Sequence, residues 1–146
     1  MLREIEIPPL WLAAAILAGW ISAQIRALSF PGGREIGLML VMIGSVLMIA
    51  AAGQMLLRRT TVIPRRDPHA LVTSGCFAIS RNPIYVADAL ILAGALFYVE
   101  AVYMLWLVPL FMLIITRRFI QGEEERLHRR FGVAYDSYCR TTRRWL

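Results

Sequence analysis

Two short polar passages hold the residue types that could do chemistry. The first, "SRNPIY" from Ser80 to Tyr85, sets an arginine, an amide and a tyrosine around a proline; the second, "GEEERL" from Gly122 to Leu127, sets three consecutive glutamates beside an arginine. Arg81 offers a planar cationic fork suited to a carboxylate. Ser80 or Asn82 suits a helix cap, Pro83 suits the first helical position, and the free amides of a helix start favour an anion. Glu123 and Glu124 lie where a carboxylate is costly unless it meets a cation, which is Arg81 or part of a ligand. Asp88 follows Tyr85 by three residues, on the same helix face and inside an apolar run. It reads as a substrate-side hydrogen bond or general base, or as a structural partner for an arginine or a backbone group. Cys76, Cys139 and the two histidines show no metal-ligand spacing.

These passages must be positioned by apolar helices. The chain of 146 residues is 58% hydrophobic with a mean hydropathy of +0.58, where roughly 45–50% apolar is usual for a soluble domain. Four segments approach the roughly 20 helical residues that cross a bilayer: 9–25, 36–57, 83–97 and 101–116. The last two are separated only by "YVE", which predicts a tight hairpin, because one continuous helix would far exceed the membrane thickness. The expected fold is an all-α integral membrane protein of one domain, with about four transmembrane helices and a C-terminal amphipathic helix. Segments 58–82 and 117–146 are its polar parts.

Every basic residue is arginine. With four spans, fourteen of the sixteen arginines fall on one side, and only Arg26 and Arg34 fall on the other. The excess of basic residues in short cytoplasmic loops places both termini and both polar passages in the cytoplasm, of a bacterial inner membrane. In that reducing environment both cysteines stay free thiols. The net charge of +6 suits anionic headgroups or an acidic ligand, and nucleic acid is not an expected partner. Membrane lipids are, whereas composition leaves the oligomeric state open.

Smaller features complete the pattern. Pro64 and Pro68 deny a regular helix before the first passage, and Thr73, Ser74 and Gly75 favour a turn. Gly33 and Gly37 read as a loop-to-helix junction rather than a close helix approach. Pro109 is expected to kink the fourth span.

The order "LVTSG…SRNPIY", a helical hairpin, "EEERL", "FGVAYDSY" and a terminal "RRWL" resembles the isoprenylcysteine carboxyl methyltransferase family over roughly 60–146. Phosphatidylethanolamine and bacterial phospholipid methyltransferases are similar in the same region. The resemblance implies S-adenosylmethionine as cofactor and marks His69, Leu71, Val72 and Gly75 as loop contacts, Arg81, Asn82, Pro83 and Tyr85 as the central motif, and Glu123 and Glu124 as acidic partners. It departs at Asn82, where histidine stands in eukaryotic members, at Cys76, where proline is common, and at Phe77, where tyrosine is frequent. Asn82 cannot titrate, which argues against proton transfer at that position.

The residue chemistry agrees with this implication. Arg81 and the helix start suit the carboxylate of S-adenosylmethionine, either glutamate suits its ammonium, and Leu71, Val72, Phe77 or Tyr85 suits its adenine. Asp88 and Glu124 are the candidate catalytic residues. The expected acceptor is lipid-like: an isoprenoid-type carboxylate or thiol, or a lipid amine. Two other functions fit the same passages, a nicotinamide-dependent membrane reductase of related fold and a non-catalytic membrane partner protein. Neither a GxGxxG loop nor the glycine-rich loop of soluble methyltransferases is present, so no Rossmann domain is expected.

Overall fold

The computed structural model describes residues 7–58 and 70–146. His69 and the Pro64 to Pro68 passage lie outside the described residues. The described residues are helical, and their sole β pairing is an isolated bridge between Ser80 and Arg143.

Helix α1 (Pro8–Ile25) begins on a proline in its first position, and α2 (Gly33–Leu57) begins after Gly32, whose positive φ turns the chain into it. A short turn of helix, α3 (Cys76–Ile79), precedes α4 (Pro83–Tyr98), and α4 ends at the expected turn. The helical chain resumes with a 3-10 turn at Val102–Met104, continues as α5 (Leu107–Ile115), widens into a π turn at Thr116–Ile120, and runs on as α6 (Gln121–Phe131). Helix α7 (Val133–Thr141) follows a break at Gly132. Helices α1, α2 and the run Val102–Phe131 are long and apolar enough to cross a membrane, and α4 is a shorter apolar helix.

Three expectations change here. Pro109 is the third residue of α5, within the first turn, where a missing N–H leaves no helix bond unmade. That removes the hydrogen-bond ground for a kink at Pro109, and a π turn follows at Thr116–Ile120. The fourth helix does not stop at Thr116 but runs on through α6, and the amphipathic tail is two helices. Gly132 separates them, with φ +48 that an L side chain would strain, and His128 Nε2 meets Asp136 Oδ1 across the elbow at 3.1 Å.

Gly37 is a packing residue rather than a junction residue. A Cβ there would fall 2.7 Å from the Gly94 carbonyl oxygen and the Tyr98 nitrogen, and one on Gly44 would fall 2.9 Å from the Ala87 oxygen. Gly37, Gly44 and the fully buried Ala51 recur every seven residues, so one face of α2 lies against α4 at backbone distance. The opposite face carries Met42, Val46 and Ile49, each more than 60% exposed, as a lipid-facing surface requires. Helix α1 covers the other side, its Trp11, Leu12, Ala15 and Ile16 packing on a core of Leu92, Leu96, Phe111, Ile115 and Phe119.

Hydrogen bonds set the two ends of the bundle apart. At one end Leu28 N donates to Glu100 O at 2.8 Å, Arg34 pairs with Glu100 at 3.0 Å, and the Tyr103 hydroxyl donates to Arg26 O at 2.8 Å. The α1–α2 connection and the α4–α5 turn therefore share that end. The end of α2, α3, the start of α4 and the tail share the other, which is the separation that the arginine distribution predicts.

Candidate active site

The loop before α3 is held by a residue that the motifs do not include. Gln54, in the last turn of α2, donates from Nε2 to Ser74 O at 2.6 Å and accepts at Oε1 from Cys76 N at 3.2 Å. Gly75 has φ +59, and a Cβ on it would fall 2.6 Å from the Gln54 amide, so only glycine lets that amide clamp the turn. Val72 and Phe77 are buried with Ala51 in a small core of their own, packed by Met55, Cys76 and Ile84. Leu71 beside them is half-buried. These residues form a fixed apolar wall at the site end of α2.

Pro83 opens α4 as expected, and Asn82 stands at the cap position, but neither Ser80 nor Asn82 caps the helix with its side chain. The chain's own C-terminal end claims both. The Asn82 amide donates to Arg144 O at 2.9 Å, Ser80 Oγ donates to the same oxygen at 3.3 Å, and Arg81 N donates to Arg143 O at 2.9 Å. Ser80 Oγ also accepts from Asn82 N at 3.1 Å. The terminal segment thus lies along the "SRN" backbone and ties it to the tail.

Tail and motif also meet through charge. Arg144 binds Glu124 with both forks, Nε to Oε1 at 3.0 Å and Nη2 to Oε2 at 2.7 Å, and Arg81 Nη2 reaches Glu124 Oε1 at 3.4 Å. Hydrogen bonding to Glu124 raises the Arg144 guanidinium above its ordinary range, so Arg144 stays a cation. Arg81 Nη1 donates to the Cys139 sulfur, and Arg81 Nε is buried with no partner among the described residues. One glutamate over, Glu123 Oε1 accepts from the Tyr85 hydroxyl at 2.9 Å. The π turn precedes α6, whose first turn carries both glutamates, and Trp145 Nε1 donates to Thr116 Oγ1 in that turn at 3.3 Å.

Helix α7 completes the enclosure. The Tyr138 hydroxyl donates to Phe77 O at 2.5 Å, and Thr142 Oγ1 donates to Ala78 O at 3.4 Å. Burial pushes the Tyr138 hydroxyl up to about 12, so it remains a donor throughout the neutral range.

Arg81, Asn82, Pro83, Tyr85, Glu123 and Glu124 are therefore brought to one end of the bundle, with the wall of Leu71, Val72, Gly75 and Phe77 at the same end. Asp88 lies one turn along α4 from Tyr85, 4% exposed, and has no hydrogen-bond or ion-pair partner among the described residues. The site residues read from the motifs do not include Gln54, Cys139, Tyr135 or Arg144, although the last two lie in the "FGVAYDSY" and "RRWL" passages. Gln54 carries a signal of its own, as the one polar side chain in the apolar second half of α2. Among the described residues no group of His, Cys, Asp or Glu could hold a metal ion.

A family model described as phospholipid methyltransferase matches residues 33–134, more than half of the chain. No curated protein and no solved structure matches it.

Proposed function

The chain belongs to the phospholipid methyltransferase family, and on that premise we propose that this membrane methyltransferase uses S-adenosylmethionine, bound at the cytoplasmic end of its helices, to methylate a lipid-like acceptor. The acceptor is an isoprenoid-type carboxylate or thiol, or a lipid amine, entering from the bilayer. The observation that carries this reading is the convergence of the α4 start with the α6 glutamates, where Tyr85 meets Glu123 and Arg81 meets Glu124.

The donor set fits such a ligand. Glu124 is already ion-paired with two guanidinium groups, whereas Glu123 accepts a hydrogen bond from a neutral hydroxyl and has Arg126 only within electrostatic reach. Glu123 is therefore the better seat for an ammonium. Arg81 has one buried N–H with no partner among the described residues, suited to an anionic oxygen. Leu71 and the Val72–Phe77 wall supply an apolar surface for a flat ring. When bound, S-adenosylmethionine supplies a methyl group on an electrophilic sulfonium.

The chain's own part is to orient and to keep water out. A site walled by Phe77, Tyr85 and Tyr138 is poor in water, and in such a place positioned groups interact more strongly than in solvent. Asp88 is assigned to the acceptor side, where its unpaired carboxylate can accept a hydrogen bond or, from an amine, a proton. A carboxylate or thiolate acceptor needs no such base.

Calorimetry of the purified protein with S-adenosylhomocysteine and with reduced nicotinamide dinucleotide tests the cofactor. Binding of the first alone is expected; binding of the second alone, or of neither, would overturn the reading. Incubation with labelled methyl donor and a total lipid extract then identifies the acceptor.

A further inference from the structure

We propose that Tyr135 is a further binding residue, its hydroxyl pairing with the Arg81 Nε–H as a two-donor seat for the carboxylate at the amino-acid end of S-adenosylmethionine. This rests on the methyl-donor reading above.

Two buried side-chain polar atoms have no hydrogen-bond partner among the described residues, and they are Arg81 Nε and Tyr135 Oη. Unmade buried hydrogen bonds are uncommon and call for an explanation. The two belong to one cluster. Arg81 Nη1 donates to the Cys139 sulfur, and Tyr135 lies beside that same sulfur one helical turn earlier in α7, within electrostatic reach of Arg81 and Glu124. Sulfur is a weak acceptor, here already receiving a guanidinium proton, so it does not satisfy the phenol. Tyr135 is only 4% exposed, which leaves bulk water a poor substitute.

The chemistry of the missing partner follows from the two groups. The guanidinium N–H only donates. Burial first, then the neighbouring sulfur and Glu124, push the Tyr135 hydroxyl above the ordinary phenol range, so it keeps its proton. Two donors call for a group with two accepting oxygens. Two guanidinium groups, of Arg81 and Arg144, converge on the Glu124 carboxylate, and a carboxylate ligand fits the pair of donors. The ammonium of the same amino-acid group would then lie toward Glu123, the neighbouring residue of α6.

The test compares two probes on the full chain in lipid nanodiscs: S-adenosylhomocysteine, which carries the amino-acid end, and 5′-methylthioadenosine, which lacks it. Tyr135→Phe is expected to weaken the first by about tenfold or more, the range of a hydrogen bond to a charged group, and to leave the second unchanged. The thermal midpoint of the ligand-free variant should not fall, because among the described residues the hydroxyl meets no partner stronger than the weakly accepting Cys139 sulfur. Equal loss of both probes, a lowered ligand-free midpoint, or wild-type affinity for S-adenosylhomocysteine would overturn the assignment of Tyr135. If the unsubstituted protein binds 5′-methylthioadenosine but not S-adenosylhomocysteine, no carboxylate seat exists; if it binds neither, the methyl-donor reading itself fails.

Discussion

The Tyr85 hydroxyl donates to Glu123 Oε1 across 2.9 Å and ties the first turn of α4 to the first turn of α6, thirty-eight residues further along the chain. A neutral donor steadies the carboxylate without cancelling its charge. Glu123→Gln keeps the shape and removes the charge, so S-adenosylhomocysteine should bind at least about tenfold more weakly while 5′-methylthioadenosine is unaffected. Tyr85→Phe keeps the charge and frees the carboxylate to move, so its effect should be smaller. Calorimetry on both variants checks the order, and an unaltered Glu123→Gln would place the ammonium elsewhere.

The Arg144 pair with Glu124 is a two-point contact, but the arginine side chain is 38% exposed, so solvent discounts it. Its loss in Arg144→Ala should cost about 1 kcal/mol of stability, and the Arg144 carbonyl would still hold Asn82 and Ser80. Because Arg81 also reaches Glu124, the Arg144→Ala and Glu124→Gln changes should not add. Thermal unfolding of the two single variants and the double variant measures that coupling, and strict additivity would mean the contact does not act as a unit.

Two glycines of α2 should answer oppositely to enlargement. Gly37→Leu drives a side chain into the backbone of Gly94 and Tyr98, which approach any Cβ there to 2.7 Å, and overpacking of this kind costs about 1–3 kcal/mol or more. Gly53, in the same helix, has nothing within 4 Å of such a Cβ. Gly53→Ala should therefore stabilise the helix by about 0.5–1 kcal/mol. Opposite shifts of the thermal midpoint are the expected signature.

Hydropathy alone marks the four apolar runs, since bilayer thickness demands a length that few other constraints produce, and arginine placement brings the two polar passages to one end. The convergence of Arg81 with Glu124 is legible as two motifs of opposite charge. What occupies their remaining valences is not, because those partners come from tertiary contact: Arg144 from the chain's end, Cys139 and Tyr135 from α7, Gln54 from α2. Local rules mislead where the tertiary partner is stronger. Asn82 has the right type and place for a cap, yet its amide serves the Arg144 carbonyl. The pair Gly33 and Gly37 looks like a helix entry, and the seven-residue series through Gly44 and Ala51 is needed to see a packing face. Pro109 suggests a kink only while the start of its helix is unknown.

Asp88 is buried on α4 with no partner among the described residues, one turn from a tyrosine that touches the glutamate cluster. On the reading proposed above, Asp88 faces the acceptor, where a carboxylate can accept a hydrogen bond or a proton. Asp88→Asn keeps the size and can still hydrogen bond, but cannot take up a proton. With an amine acceptor, turnover should fall by about a hundredfold or more, while S-adenosylhomocysteine affinity and the thermal midpoint stay near those of the unsubstituted protein. With a thiol or carboxylate acceptor, turnover should be largely kept. The same variant assayed against lipid amines and against isoprenoid thiols and acids thus reads out both the role of the residue and the class of acceptor. Full turnover on every acceptor would remove Asp88 from proton transfer altogether.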